Sequence, residues 1–174
     1  MNDTPARLSI LAGIVLLLGA CAHVPTPLRG DYGDLLPAQA GSEAHIGAQV
    51  RWGGEIIATR TLPDRTCFEL LGKPLRDTTR PTRVDESAGR FIACRSGFYD
   101  PVLFAEGRDL TVTGRIEAIE RQRIGEYEYA YPRIAADVVY LWPDHLDDRR
   151  RASMWIGYRH GPWSVWGPGP FWWP

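Results

Sequence analysis

The sequence predicts a mainly β protein: a small five-stranded, OB-like barrel, with an extended N-terminal tether before it and an aromatic Gly/Pro-rich tail after it. Three observations carry this expectation. Five segments show strand character, glycines fall inside two of them, and no window of comparable length shows a helical stripe. Glycine weakens a strand but permits the sharp bend that a small closed barrel needs. Connections of very different length also favour a barrel over a two-sheet sandwich, which stands as the competing arrangement.

Residues 1–20 read as a lipoprotein signal peptide. Arg7 and the amino terminus form a weak positive region, and Leu8 to Leu18 form an apolar run of signal length. A membrane-spanning helix would need about 20 apolar residues. This run is closed earlier, by Arg7 on one side and Gly19-Ala20-Cys21 on the other. Leu18, two small residues and a cysteine make the bacterial lipobox pattern. Cys21 is therefore expected to take a diacylglycerol group, detectable with labelled palmitate, and to become the first mature residue. A signal cut elsewhere and an uncut anchor are the competing readings. Because Ala22 is not Asp, the expected destination is the outer membrane, with the protein facing the periplasm.

Residues 21–46 carry Pro and Gly without periodicity, which reads as the tether. The barrel is expected over 47–156. "AQVRWGGEIIATR" sets Val50 and Trp52 on one face, with Gly53-Gly54 suited to a bulge before Ile56 and Ile57. "TCFELL" from Thr66 and "GRFIACRSG" from Gly89 follow. "DLTVTGRIEAIERQ" alternates Leu110, Val112, Gly114, Ile116 and Ala118 with polar residues. "YPRIAADVVYLW" places Ile134, Ala136, Val138, Tyr140 and Trp142 on one face. Residues 157–174 form the tail.

These segments, taken together, resemble a known family. "VRWGGEI", "GRFIA" followed by "GFYDP", "GRDLTVTGRI", "IGEYEYAYPRI" and "YLWP" stand in the order and approximate spacing of the Slp family of outer-membrane lipoproteins, over roughly Gly47 to Pro143. The resemblance implies a small lipoprotein at the inner leaflet of the outer membrane, linked in some bacteria to starvation or stationary phase, with no established enzymatic activity. Only the lipidated cysteine carries over as a functional residue, and it falls on Cys21.

Cys67 and Cys94 are outside that pattern and must be read alone. An exported chain can pair its two remaining thiols, although two buried, unpaired cysteines acting as small hydrophobes would also fit. If the second and third strands pair with Cys67 opposite Cys94, then Leu71 faces Arg90, and Phe68, Leu70, Phe91 and Ala93 share the core face.

Composition narrows the function. With 20 basic and 21 acidic side chains the formal charge is -1, which argues against a nucleic-acid partner. The sequence contains no Gly-x-Ser-x-Gly, His-Glu-x-x-His, Gly-Lys-Ser/Thr or Cys-x-x-Cys motif, so neither an enzyme nor a cofactor is expected. "DHLDD", with Asp144, His145, Asp147 and Asp148 beside Arg149 to Arg151, reads as a solvated charged turn in preference to a metal site. Two binding surfaces remain as candidates. Tyr127, Tyr129 and Tyr131 in "GEYEYAYP" would share one face, as a glycan platform or as barrel cover. Trp163, Trp166, Phe171, Trp172 and Trp173 sit among Gly and Pro, suited to a membrane interface or an envelope protein partner, or folded back onto the barrel.

Overall fold

The computed structural model describes residues 23–144. The chain divides into two units, one ending at Trp142 and one running from Pro143 to Pro174. The expected domain end at residue 156 lies outside the described residues. Cys21, the tail tryptophans and His145, Asp147 and Asp148 lie outside the described residues.

Among the described residues five strands make one sheet: β1 (Gln49–Thr61), β2 (Arg65–Lys73), β3 (Gly89–Ser96), β4 (Asp109–Ile124) and β5 (Tyr127–Leu141). Their pairing order, β1-β2-β3-β5-β4, returns from β4 to β1, so the sheet closes into a barrel. Only the β3–β5 ladder is parallel, and it is short, pairing Ile92, Ala93 and Cys94 with Arg133, Ile134 and Ala135.

Inward-facing residues of all five strands fill the interior: Val50, Trp52 and Ile56, Phe68 and Leu70, Phe91 and Ala93, Leu110, Val112 and Ile116, and Ile134. Trp52 and Phe91 meet edge to face, with centroids 5.2 Å apart. At one end the β3–β4 connection closes the barrel, as Tyr99 and Phe104 pack against Phe68 with centroids at 5.6 and 5.2 Å.

The glycines do not act as the sequence suggests. The β1–β2 register shifts between Ile56 and Ala58, so the expected bulge at Gly53-Gly54 is corrected to Ile57. Gly54 instead serves close approach, since a Cβ there would collide with the carbonyl of Leu71 on β2. Gly114 plays the same part against the carbonyl of Ala135.

Two further register shifts lie in the β4–β5 ladder. Thr113 pairs with Val138 and Gly114 with Ala136, leaving Asp137 as an extra residue. The single face expected from Ile134 to Trp142 is therefore broken. Ile134 is in the core, but beyond Asp137 it is Val139 and Leu141 that pack inward. Trp142 lies under the β2–β3 loop, its Nε1 donating to Thr111 Oγ1 at 2.9 Å. That hydroxyl donates to Thr79 O at 2.8 Å, so the polar side of β4 is covered as well. β5 also begins earlier than expected, at Tyr127, because the Gly125-Glu126 turn, with Gly125 at φ 61°, folds it directly back on β4.

The tether expected over 21–46 is corrected for its described part. From Thr26 the chain is a strap seated on the barrel, with single 3-10 turns at Thr26–Leu28 and Glu43–His45. Leu28 is fully buried, and Ala40 joins the main core. Full burial of a Leu side chain is worth about 1.5–3 kcal/mol, enough to hold a segment whose Pro and Gly content alone suggests freedom.

Candidate functional site

The outer face of β2, β3 and β5 gathers most of the chemistry among the described residues. Strand alternation turns Phe68, Leu70, Phe91 and Ala93 into the core and leaves Cys67, Glu69, Arg90, Ile92 and Cys94 outside. Cys67 lies opposite Cys94, with Cα atoms 4.1 Å apart, and the two form a disulfide. Ile92, Cys94 and Tyr131 make a small second apolar cluster with Cys67, Ile124 and Tyr129.

Glu69 is the hub of this face. Tyr131 Oη donates to its Oε1 at 3.0 Å, Arg90 Nη1 lies 3.4 Å from the same oxygen, and Arg60 Nη2 is 3.8 Å from Oε2. Burial, reinforced by the Glu69 carboxylate, raises the Tyr131 phenol above the usual tyrosine range against the opposing pull of Arg90. Arg90 is raised in turn, chiefly by its hydrogen bond to Tyr131, with burial opposing and Glu69 adding attraction. Through this hydrogen bond Tyr131 ties β5 to Glu69 on β2.

The tyrosine platform changes character here. Tyr127 is 69% exposed but Tyr131 only 2%. Tyr129 is half-buried, its Oη accepting from the backbone N–H of Arg90 at 2.9 Å. Successive ring centroids lie 6.4 and 5.0 Å apart, and the rings are tilted or edge-on. Three faces open to stack on a sugar are thus not presented; Tyr129 and Tyr131 instead pack in the second apolar cluster with Cys67 and Cys94. Glu128 pairs with Arg121 at 3.3 Å.

Beside the cluster lies a groove of about 180 Å³ floored by Ile92 and the disulfide. On one wall Arg133 is held by Glu117 at 2.6 Å and by Glu120. Burial would lower the Arg133 pKa, yet hydrogen bonds to Glu120 and Glu117 raise it. Arg60, Leu62 and Arg65 form the other wall. Arg65 Nε is shielded from solvent without a hydrogen-bond acceptor, the nearest carboxylate oxygen being Asp64 Oδ1 at 3.9 Å. Glu69 and Glu120 also line the groove, so Arg60 and Arg133 are matched by carboxylates, and Arg65 is the cation there with the weakest pairing. Among the described residues no group of His, Cys, Asp and Glu is placed to hold a metal ion.

A second surface lies at the barrel end near the β1–β2 turn. Leu62, Phe98, Val102 and Leu103 are exposed on neighbouring loops, joined where Gly97 N donates to Asp64 O at 3.1 Å. On the first surface sequence reasoning named Tyr129, Tyr131, Cys67 and Cys94 but missed Glu69 and Arg90; the second surface it missed. Glu69, Arg90 and Tyr131 come from three strands distant in the chain, whereas the apolar loop could have been noticed as "GFYDPVLF", a run whose Gly and Pro rule out a long strand or helix.

Comparison with known proteins defines the class: this is an outer-membrane lipoprotein. The chain belongs to the family described as Outer membrane lipoprotein Slp family, which it matches over residues 18–173. It is 33% identical over 127 residues to the uncharacterized lipoprotein YeaY of Escherichia coli K12, a match spanning 70% of this chain and 65% of YeaY. An uncharacterized protein of Haemophilus influenzae is 35% identical over 125 residues, 67% of this chain and 68% of that protein. Outer membrane protein Slp of E. coli K12 is 24% identical over 177 residues, 99% of this chain and 88% of Slp.

Proposed function

We propose that this lipoprotein is a non-enzymatic interaction component of the cell envelope, anchored through acylated Cys21 and facing the periplasm. Deployment in starvation or stationary phase belongs to the same proposal. The strand order supports an OB-like reading of the barrel, a form that uses a strand face and adjoining loops for binding. One observation carries the interaction role. Phe98 and Val102 are 72% and 82% exposed, on loops at one barrel end. Large apolar side chains grouped in water mark a contact surface.

Replacing Phe98 and Val102 together by Asp is expected to reduce recovery of an envelope partner from crosslinked cells by about tenfold or more, as loss of a central apolar anchor does. The melting temperature should be unchanged, because neither side chain is in the core. Undiminished recovery would remove the contact surface from the proposal.

A second reading, ligand binding, is favoured by Arg65 on the groove wall, whose Nε has no hydrogen-bond acceptor and only the distant Asp64 carboxylate as a counter-charge. It moves the small-molecule site from the tyrosines to the groove and its ligand from a stacked glycan to an anion. Calorimetric titration with inorganic phosphate and with dodecyl phosphate tests it. Arg60→Ala with Arg65→Ala should weaken binding about tenfold, the scale of one lost charged hydrogen bond. An absence of saturable heat with either compound rejects this reading.

A further inference from the structure

The strap has little slack. Thr26–Leu28 packs on β4 and β5, with Leu28 fully buried and its carbonyl accepting from Arg51 Nη1 at 3.0 Å. The Arg51 guanidinium lies 4.9 Å over the Tyr32 ring. Trp52 Nε1 donates to Leu35 O at 2.6 Å, and Ala38 N donates to Ala88 O at 2.8 Å. Ala40 then enters the core. At the start of the described chain, Arg29 closes a local loop, its Nε donating to Val24 O at 3.1 Å and its Nη2 lying 2.7 Å from His23 Nε2.

We infer that this chain seats its barrel directly on the lipid bilayer, with no spacer between the acyl group and the folded domain. The inference rests on lipidation of Cys21. Two peptide units separate Cys21 from His23, a reach of at most about 7 Å between Cα atoms. A free tether over 21–46 would instead give a root-mean-square span of roughly 25–30 Å. The surface brought to the bilayer is the one around His23 and Arg29, beside the Thr26–Leu28 turn on β4 and β5. Arg29 is exposed there, with Asp31 and Asp137 beside the same turn, so the short acyl connection and not net charge sets the barrel on the bilayer. Partners must accordingly approach a barrel of fixed height, not one that sweeps the periplasm.

Neutron reflectometry on the full lipidated chain, in supported bilayers of phosphatidylethanolamine and phosphatidylglycerol, reads the solvent layer between headgroups and protein. The wild type should show a layer too thin to resolve. A variant with about 20 Gly/Ser residues inserted between Ala22 and His23 should open one of roughly 20 Å or more. Equal layers in the two chains, thick or thin, overturn the inference. Labelled palmitate on the same preparations separates the causes: a labelled wild type with a thick layer overturns the seating alone, whereas an unlabelled one overturns the anchor and the seating together.

Discussion

Cys21→Ala is expected to release the protein from the outer-membrane fraction or mislocalise it, and to abolish labelled-palmitate incorporation. The size of the effect follows from acyl-chain partitioning. Each buried methylene contributes about 0.8 kcal/mol; one chain gives only reversible binding, and the two chains of a diacylglycerol make attachment stable. Losing both should leave at most what the aromatic tail can hold. Interfacial Trp suits that role, although without the lipid tether its local concentration at the bilayer is no longer raised. Truncation of the Cys21→Ala chain after Tyr158 should therefore remove residual vesicle binding without lowering the melting temperature. A large fall in melting temperature would show that the tail belongs to the fold. Equal labelling and fractionation of wild type and Cys21→Ala would sink the anchor itself.

Strand positions were legible because alternation is local: Val50, Trp52, Phe68, Leu70, Phe91, Ala93, Leu110, Val112, Ile116 and Ile134 stand at inward positions that the period marks, and all are in the core. The register shifts were not legible. Whether Ile57 or Asp137 is the extra residue depends on which strand lies opposite, and a period-2 pattern in one strand carries no such information. The strap was misread for a related reason. Leu28, Leu35 and Ala40 are spaced without helical or strand period, and their burial exists only because Trp52, Arg51 and the β2–β3 loop offer partners far along the chain. At the candidate site, tyrosine alternation was visible but its meaning was not. Tyr131 is covered where its hydroxyl donates to Glu69 and accepts from Arg90, and these residues stand 62 and 41 positions away.

Removal of the Cys67–Cys94 bridge, by Cys67→Ser with Cys94→Ser, is expected to lower the melting temperature on the order of 10 °C, with the protein still folded at 25 °C. A cross-link between residues 27 apart restricts the unfolded chain by about 3–4 kcal/mol in the chain-entropy account. The loss should be uneven across the barrel. Cys94 is also the last residue of the parallel β3–β5 ladder, which pairs only through Ile92, Ala93 and Cys94. The β4–β5 hairpin, by contrast, is paired from Leu110–Leu141 to Ile124–Tyr127. Amide hydrogen exchange should therefore accelerate first at Ile92–Cys94 and Arg133–Ala135, where the barrel has its shortest seam, and last in β4. Mass labelling of thiols in unreduced, exported protein checks the premise: no label is expected on Cys67 or Cys94, and two labels would refute the bridge. Uniform acceleration across all five strands would leave the β2–β3 bridge in place but reject its role in steadying β3 at the β3–β5 seam.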